Sequence, residues 1–240
     1  MKISCVRVVG LLILPVFFTR SYAQLPADSL YKESVASFRK IYFDEIKGNA
    51  QIYHGSKYAV EKKIVEGFPF FDVDMNRPGS ISYQGTTYQP VKLYYDLTTD
   101  IVVTMNYLQD DLVTLSPDKI DSFSIGLHRF IKFSKTNGLP RRGFYEEIHA
   151  GEPGLFARRE KKFYYGTGHQ ANKYVEKNAY FIRYKGNYYP ADNKDEILDV
   201  FRDQASTLNK FIRSNKIIFK KDFEQALLQT VVFYSGLKHE

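Results

Sequence analysis

The sequence has one cysteine, Cys5, and no tryptophan among its 240 residues. A lone cysteine cannot close an intrachain disulfide. Cys5 precedes the apolar run at residues 8–18, whereas a lipid-anchoring cysteine would follow it, so lipid attachment is not expected. Long apolar stretches are missing too. The run at 8–18 contains Pro15 and falls short of the ~20 residues a spanning helix needs. Charge is only mildly unbalanced, at +7. Three of those cations, Lys2, Arg7 and Arg20, lie in the first 23 residues. Nucleic acid is therefore not an expected partner.

What is present at the start has the three parts of a secretory signal: the cations Lys2 and Arg7, the apolar run, and Ser21-Tyr22-Ala23 with small residues at its ends. Cleavage after Ala23 is expected, with residues 24–240 exported as a single α+β domain to the periplasm or beyond the cell. That segment has no cysteine and no transmembrane stretch. Thiol catalysis is thereby excluded, and the fold must rest on its core. A chain of this size can bury roughly 70% of its unfolded surface.

Aromatic residues are abundant, with 19 Tyr and 19 Phe. Such content suits strands. Tyr53-His54-Gly55-Ser56-Lys57-Tyr58, Tyr83-Gln84-Gly85-Thr86-Thr87-Tyr88 and Tyr184-Lys185-Gly186-Asn187-Tyr188-Tyr189 share the pattern Y-x-G-x-x-Y. Glycine opening a two-residue loop predicts type II′ hairpins, with Tyr53 facing Tyr58, Tyr83 facing Tyr88 and Tyr184 facing Tyr189.

Alternation predicts the strands. Val91, Leu93 and Tyr95 share one side, and Ile101, Val103, Met105 and Tyr107 another. Phe123, Ile125, Leu127, Ile131 and Phe133 read as one strand with a buried face. Phe144 to His149 and Leu155 to Tyr165 flank the Gly151-Glu152-Pro153-Gly154 turn, and Val175 to Tyr184 feeds the last hairpin. Two C-terminal helices follow. The first carries Ile197, Phe201, Ala205, Leu208 and Ile212 behind a capping box of Asn193 and Glu196. The second carries Phe223, Leu227, Val231 and Tyr234 and stops near Gly236. Leu30, Val35, Phe38 and Tyr42 predict an N-terminal helix. The expected fold is α+β: mainly antiparallel sheet built from hairpins, with these helices covering it.

The motifs that carry chemistry are mostly incomplete. Asp72-Val73-Asp74-Met75-Asn76 begins like a calcium loop, but Arg77 and Tyr83 occupy the positions of its glycine and glutamate. A polar turn is the simpler account. Gly166-Thr167-Gly168-His169-Gln170-Ala171 fits a dinucleotide fingerprint in letters, but strand-like residues follow where the phosphate-binding helix should begin. No G-x-S-x-G or Walker pattern occurs, and His54, His128, His149, His169 and His239 lack zinc spacing. No cofactor and no metal site are expected. Glu146 and Glu147, as strand neighbours, point to opposite faces and cannot form an acid/base pair.

Arg141, Arg142, Arg158, Arg159, Lys161 and Lys162 form the basic clusters. They are candidates for contact with an anionic envelope surface or an acidic glycan, against the plainer account of an edge strand charged to prevent aggregation. Gly67-Phe68-Pro69-Phe70-Phe71, the segment 79–85, Val91-Lys92-Leu93-Tyr94-Tyr95-Asp96, Gly143-Phe144-Tyr145-Glu146 and the terminal helix pair together give the chain a likeness. It resembles uncharacterised exported β-rich proteins of the Bacteroidetes type. The resemblance implies export from a Gram-negative cell and nothing about a site. A non-enzymatic envelope or binding protein is the leading expectation. A hydrolase of envelope or glycan polymers and a periplasmic carrier of lipid-like ligands are the alternatives.

Overall fold

A computed structural model describes residues 34, 35, 37, 38, 50–59, 65–71, 77–136, 138–167 and 171–237. The expected leader, the Asp72-Asp74-Asn76 turn, His169 and His239 lie outside the described residues. So does the expected N-terminal helix, apart from helical backbone at Ser34, Val35, Ser37 and Phe38. The chain divides into two units, residues 1–46 and 47–240. All the strands, and the helices that come after them, belong to the second unit.

The strands, in chain order, begin with β1 (Ser56–Lys57), β2 (Val65–Glu66), β3 (Gly79–Tyr83), β4 (Thr86–Val91) and β5 (Leu93–Asp96). Next come β6 (Ile101–Met105), β7 (Leu112–Thr114), β8 (Ile120–Ile125), β9 (His128–Phe133) and β10 (Gly143–His149). The last are β11 (Gly154–Arg158), β12 (Lys161–Tyr164), β13 (Asn172–Glu176), β14 (Ala179–Tyr184) and β15 (Asn187–Pro190). They are followed by α1 (Lys194–Val200), α2 (Ala205–Ser214) and α3 (Phe223–Leu237). An eight-stranded antiparallel sheet runs β15-β14-β11-β10-β9-β8-β3-β4. A four-stranded sheet runs β1-β7-β6-β5 and a three-stranded one β12-β13-β2. The α+β expectation holds for this unit.

Two of the three tyrosine hairpins form, each with its loop one residue earlier than expected. Tyr83 pairs with Thr86 and Tyr184 with Asn187. Both central residues of each loop have positive φ, at 50° and 74° for Gln84-Gly85 and 52° and 77° for Lys185-Gly186. These are the signs of type I′, which places glycine second. The tyrosines consequently do not face one another: Tyr88 faces Ile81 and Tyr189 faces Ile182. The first motif is no hairpin. Residues 51–53 form a 3-10 turn and β1 pairs with β7. Gly55 answers a close approach instead, because a Cβ there would overlap the carbonyl oxygen of Thr114.

The type II′ turn expected elsewhere sits at Gly126-Leu127, with Gly126 at φ 58°. It splits the strand read across Phe123 to Phe133 into the hairpin β8–β9, pairing Ile125 with His128 and Phe123 with Phe130. Phe123 and Ile125 share a buried side, as their alternation requires, while Leu127 at the turn is 98% exposed. Other strands break where they change sheets. Lys92 separates β4 from β5, Arg159-Glu160 separate β11 from β12, and Lys177-Asn178 separate β13 from β14. Tyr94, on the side opposite Leu93 and Tyr95, is also buried, against Phe70 and Val103, because this sheet is covered on both faces.

One face of the large sheet meets two different layers. At β8–β10, Phe123, Phe130 and Phe144 pack edge or face around Tyr95 of β5, with centroids 5.1–5.9 Å from its ring. At β11 and β14, Leu155 and Ile182 pack under Ile197, Phe201, Leu208, Leu227 and Val231 from the helices. The first predicted helix is two: α1 ends at Phe201, and a 3-10 turn, Arg202–Gln204, leads into α2. Asn193 caps α1 by accepting from the Glu196 N–H at 2.9 Å, and the Glu196 carboxylate accepts from the Asp192 N–H at 2.8 Å. Asp222 caps α3 through the Gln225 N–H at 3.0 Å. The opposite face of the large sheet carries its own cluster, built from Tyr145, Phe156, Phe181 and Leu139.

Candidate functional site

The stretch 158–162 passes from the large sheet to the small one, and its cations part company there. Arg158 ends β11 and is buried. Its Nη1 donates to the Phe144 carbonyl at 2.6 Å and its Nη2 to Asp100 Oδ2 at 2.7 Å. Glu160 lies 3.4 Å from its Nε and also pairs with Arg141. The Tyr95 hydroxyl donates to Asp100 Oδ1 at 2.6 Å. Burial, then the Asp100 charge, push that phenol well above its ordinary value of 10.0.

Arg159 is likewise buried and holds two acids. Its Nε donates to Glu146 Oε2 at 2.5 Å and its Nη1 to Glu224 Oε2 at 2.6 Å. Burial alone would make it a weaker base, but the two carboxylates outweigh that and hold it protonated. Burial likewise pushes the Glu224 carboxyl up, yet the bond and charge of Arg159, with the Tyr180 hydroxyl, bring it below its usual value. The Tyr180 hydroxyl donates to Glu224 at 2.9 Å, and burial, then the Glu224 charge, push it up to about 12. The other oxygen of Glu146 lies 2.5 Å from His128 Nδ1. The chain His128–Glu146–Arg159–Glu224–Tyr180 thus crosses the seam between the two covering layers. On β10, Phe144 touches Tyr95 of the four-stranded sheet and Ile148 joins the helix cluster, with Glu146 between them.

His128 opens one end of this chain to solvent, its side chain being 36% exposed. The Phe71 ring packs edge-on against it at 4.9 Å. A carboxylate on Nδ1 fixes the orientation of the imidazole. His149, the other strand histidine, is not brought into this network, and its Nε2 has no hydrogen-bond partner. Glu146 and Glu147 do part as expected, since Glu147 pairs with Arg129. Among the described residues no three His, Cys, Asp or Glu side chains gather as metal ligands. Arg142 and Lys162 are exposed, and Lys161 donates to the Phe70 carbonyl at 2.7 Å. The six cations singled out in the sequence are therefore divided between interior and surface.

A cleft of about 500 Å³ lies beside the last hairpin. Tyr184, Tyr189 and Pro190 give it an apolar wall, and Glu196, Asp199 and Arg202 from α1 and the turn after it give a polar one, with Lys185. Tyr184 is fixed from behind. Its hydroxyl lies 2.7 Å from that of Tyr234, which also reaches Asp203 at 3.0 and 3.1 Å. Burial, then the bonds to Tyr184 and Asp203, push the Tyr234 hydroxyl far up. The 3-10 turn between α1 and α2 is what presents Asp203. Arg202 Nε stands 3.4 Å from Asp199. No spacing in the sequence pointed to this cleft, because hairpin and helix build it together. The chain matches no family model, no curated protein and no solved structure.

Proposed function

We propose that this is an exported, non-enzymatic binding protein that takes a sugar-like ligand in the cleft between β15 and α1. The observation that carries this reading is the cleft's pairing of an aromatic wall with carboxylate and guanidinium groups. Sugar rings offer C–H faces that pack on aromatics, and hydroxyls that both donate and accept. The wall is held in advance: the ring of Tyr184 meets Phe201 and Tyr234 edge-on, each at 5.7 Å. Preorganisation lowers the cost of binding. The two acids have other work. Glu196 caps its own helix and Asp199 sits beside Arg202.

The test is calorimetric titration of a panel of neutral and acidic oligosaccharides against the chain and against Tyr189→Ala and Asp199→Ala. Binding that weakens about tenfold or more in each variant, a loss of about 1.4 kcal/mol, supports the reading. No binding, or binding indifferent to both changes, overturns it. Release of shortened sugar that stops in His128→Ala would favour a hydrolase built on the His128–Glu146 pair instead. Export is tested separately, by mass spectrometry for a mature terminus at Gln24.

A further inference from the structure

The three-stranded sheet presents a second surface that the cleft does not use. In the ribbon β12–β13, Lys162 pairs with Val175 and Tyr164 with Lys173. Directly opposed residues share a face of a sheet, as do alternate residues of a strand. Lys162, Tyr164, Lys173 and Val175 therefore stand on one side as a square of two cations and two apolar groups. All four are exposed, Tyr164 at 49% and Val175 at 38%, whereas Tyr165 packs on Phe163 of the other side. The other side faces the protein. There Phe163 packs edge-on against Tyr174 at 5.3 Å, and Lys161 reaches back to the carbonyls of Phe68 and Phe70. Those contacts hold the ribbon in place and leave its outer side uncovered. Glu66 of β2 is paired beside Lys173, but neither Lys162 nor Lys173 makes an ion pair among the described residues, in contrast to Arg158 and Arg159.

We propose that this outer side of β12–β13 docks on an anionic lipid surface. The ammonium groups of Lys162 and Lys173 meet headgroup phosphates while their alkyl stems lie along the ribbon. Tyr164 and Val175 enter the boundary between headgroup and acyl chain, where a ring with one polar end is favoured. A glycan fits this side less well. Sugar hydroxyls need acceptors as well as donors, and this side offers two ammoniums and a phenol against a single carboxylate, Glu66 of β2 beside Lys173. Each lysine near an anionic leaflet strengthens binding about fivefold at physiological ionic strength. The proposal stands apart from the cleft.

Co-sedimentation of the chain with phosphatidylcholine vesicles, and with vesicles that also contain phosphatidylglycerol, tests it. The expected result is partitioning onto the anionic vesicles that weakens as salt is raised. The pair Lys162→Gln/Lys173→Gln should lose about 25-fold of it, two lysines at about fivefold each. Tyr164→Ser should weaken what remains, with circular dichroism unchanged in every variant. Tyr189→Ala, in the cleft, should bind vesicles as the parent does, which keeps failure of the two proposals distinguishable. Equal binding to neutral and anionic vesicles, or binding unaffected by the lysine pair, overturns the inference. Capture by an acidic polysaccharide but not by vesicles, with the same dependence on lysine, overturns it in favour of a glycan.

Discussion

Arg158-Arg159 and Lys162 stand only a few residues apart, yet they live in different solvents. The arginines are buried at the end of a strand in the large sheet, each forked between partners that neutralise it. Lys162 stands in water on an edge ribbon. The difference follows from geometry as well as charge: a planar guanidinium can satisfy several acceptors at fixed angles, whereas an ammonium is a compact, strongly hydrated charge. Arg159→Ala is expected to have the largest effect of any single change here, since it leaves Glu146 without its cation in the interior. Breaking a buried pair in this way costs about 3–5 kcal/mol. Urea unfolding midpoints measure it. The comparison is sharpened by Arg159→Met with Glu146→Leu, which removes both charges and should recover much of the loss. If Arg159→Ala costs no more than a surface lysine does, the seam network is not a structural bond.

A smaller cost is expected at the helix break. Tyr234→Phe removes the hydroxyl that joins Tyr184 to Asp203. A hydrogen bond contributes about 1 kcal/mol, so a loss of about 1–2 kcal/mol should appear in the same unfolding assay. The ring stack with Phe201, at 4.0 Å, is retained in this variant. A pure packing role for Tyr234 would predict no change.

Much of this architecture is legible in the sequence, but not the part that makes the sites. Asn193 and Glu196 announce a helix start because capping is local chemistry. Tyr-x-Gly marks the hairpins at 83–88 and 184–189, although glycine takes the second loop position there, which moves the register by one residue. Gly126 is hidden inside a run that looks like one alternation, yet the turn reverses its phase: Phe130 joins the face of Phe123, while Ile131 and Phe133, expected there, pack on the opposite face. What resists reading is distance. Glu224 lies 65 positions from Arg159 and, seen alone, is an ordinary acid in the first turn of a helix. The crossing at Arg159-Glu160, which sends β12 to another sheet, leaves no mark in a chain that alternates on either side of it. The cleft depends on Tyr184, Tyr189 and α1 meeting, and composition could only say that tyrosines were many.

Acid should separate the two regions by a modest amount. Glu224 titrates below its ordinary value of 4.5, because Arg159 and Tyr180 outweigh its burial. A carboxyl lowered by folding stabilises the protein above its unfolded value, and that contribution fades as pH falls through the folded one. Unfolding free energy should therefore decline below about pH 4.5, and Glu224→Gln should flatten part of that decline. The side chain is 34% exposed, and screening limits its share to less than about 1 kcal/mol. An acid limb identical in the variant would mean that other carboxylates carry it.

The smallest expected effect is at the surface itself. Lys162→Gln should shift stability by no more than about 0.5 kcal/mol, the usual range for an exposed position without a partner. That near-silence is informative only beside Arg159. If the two changes cost alike, the ribbon lysine is tied into the fold and is not free to meet a membrane. If Lys162→Gln is silent in urea but weakens vesicle binding, the cation is dispensable to the fold and serves the surface instead. That outcome would separate what Lys162 does for the fold from what it does at a surface, as the contrast with buried Arg159 predicts.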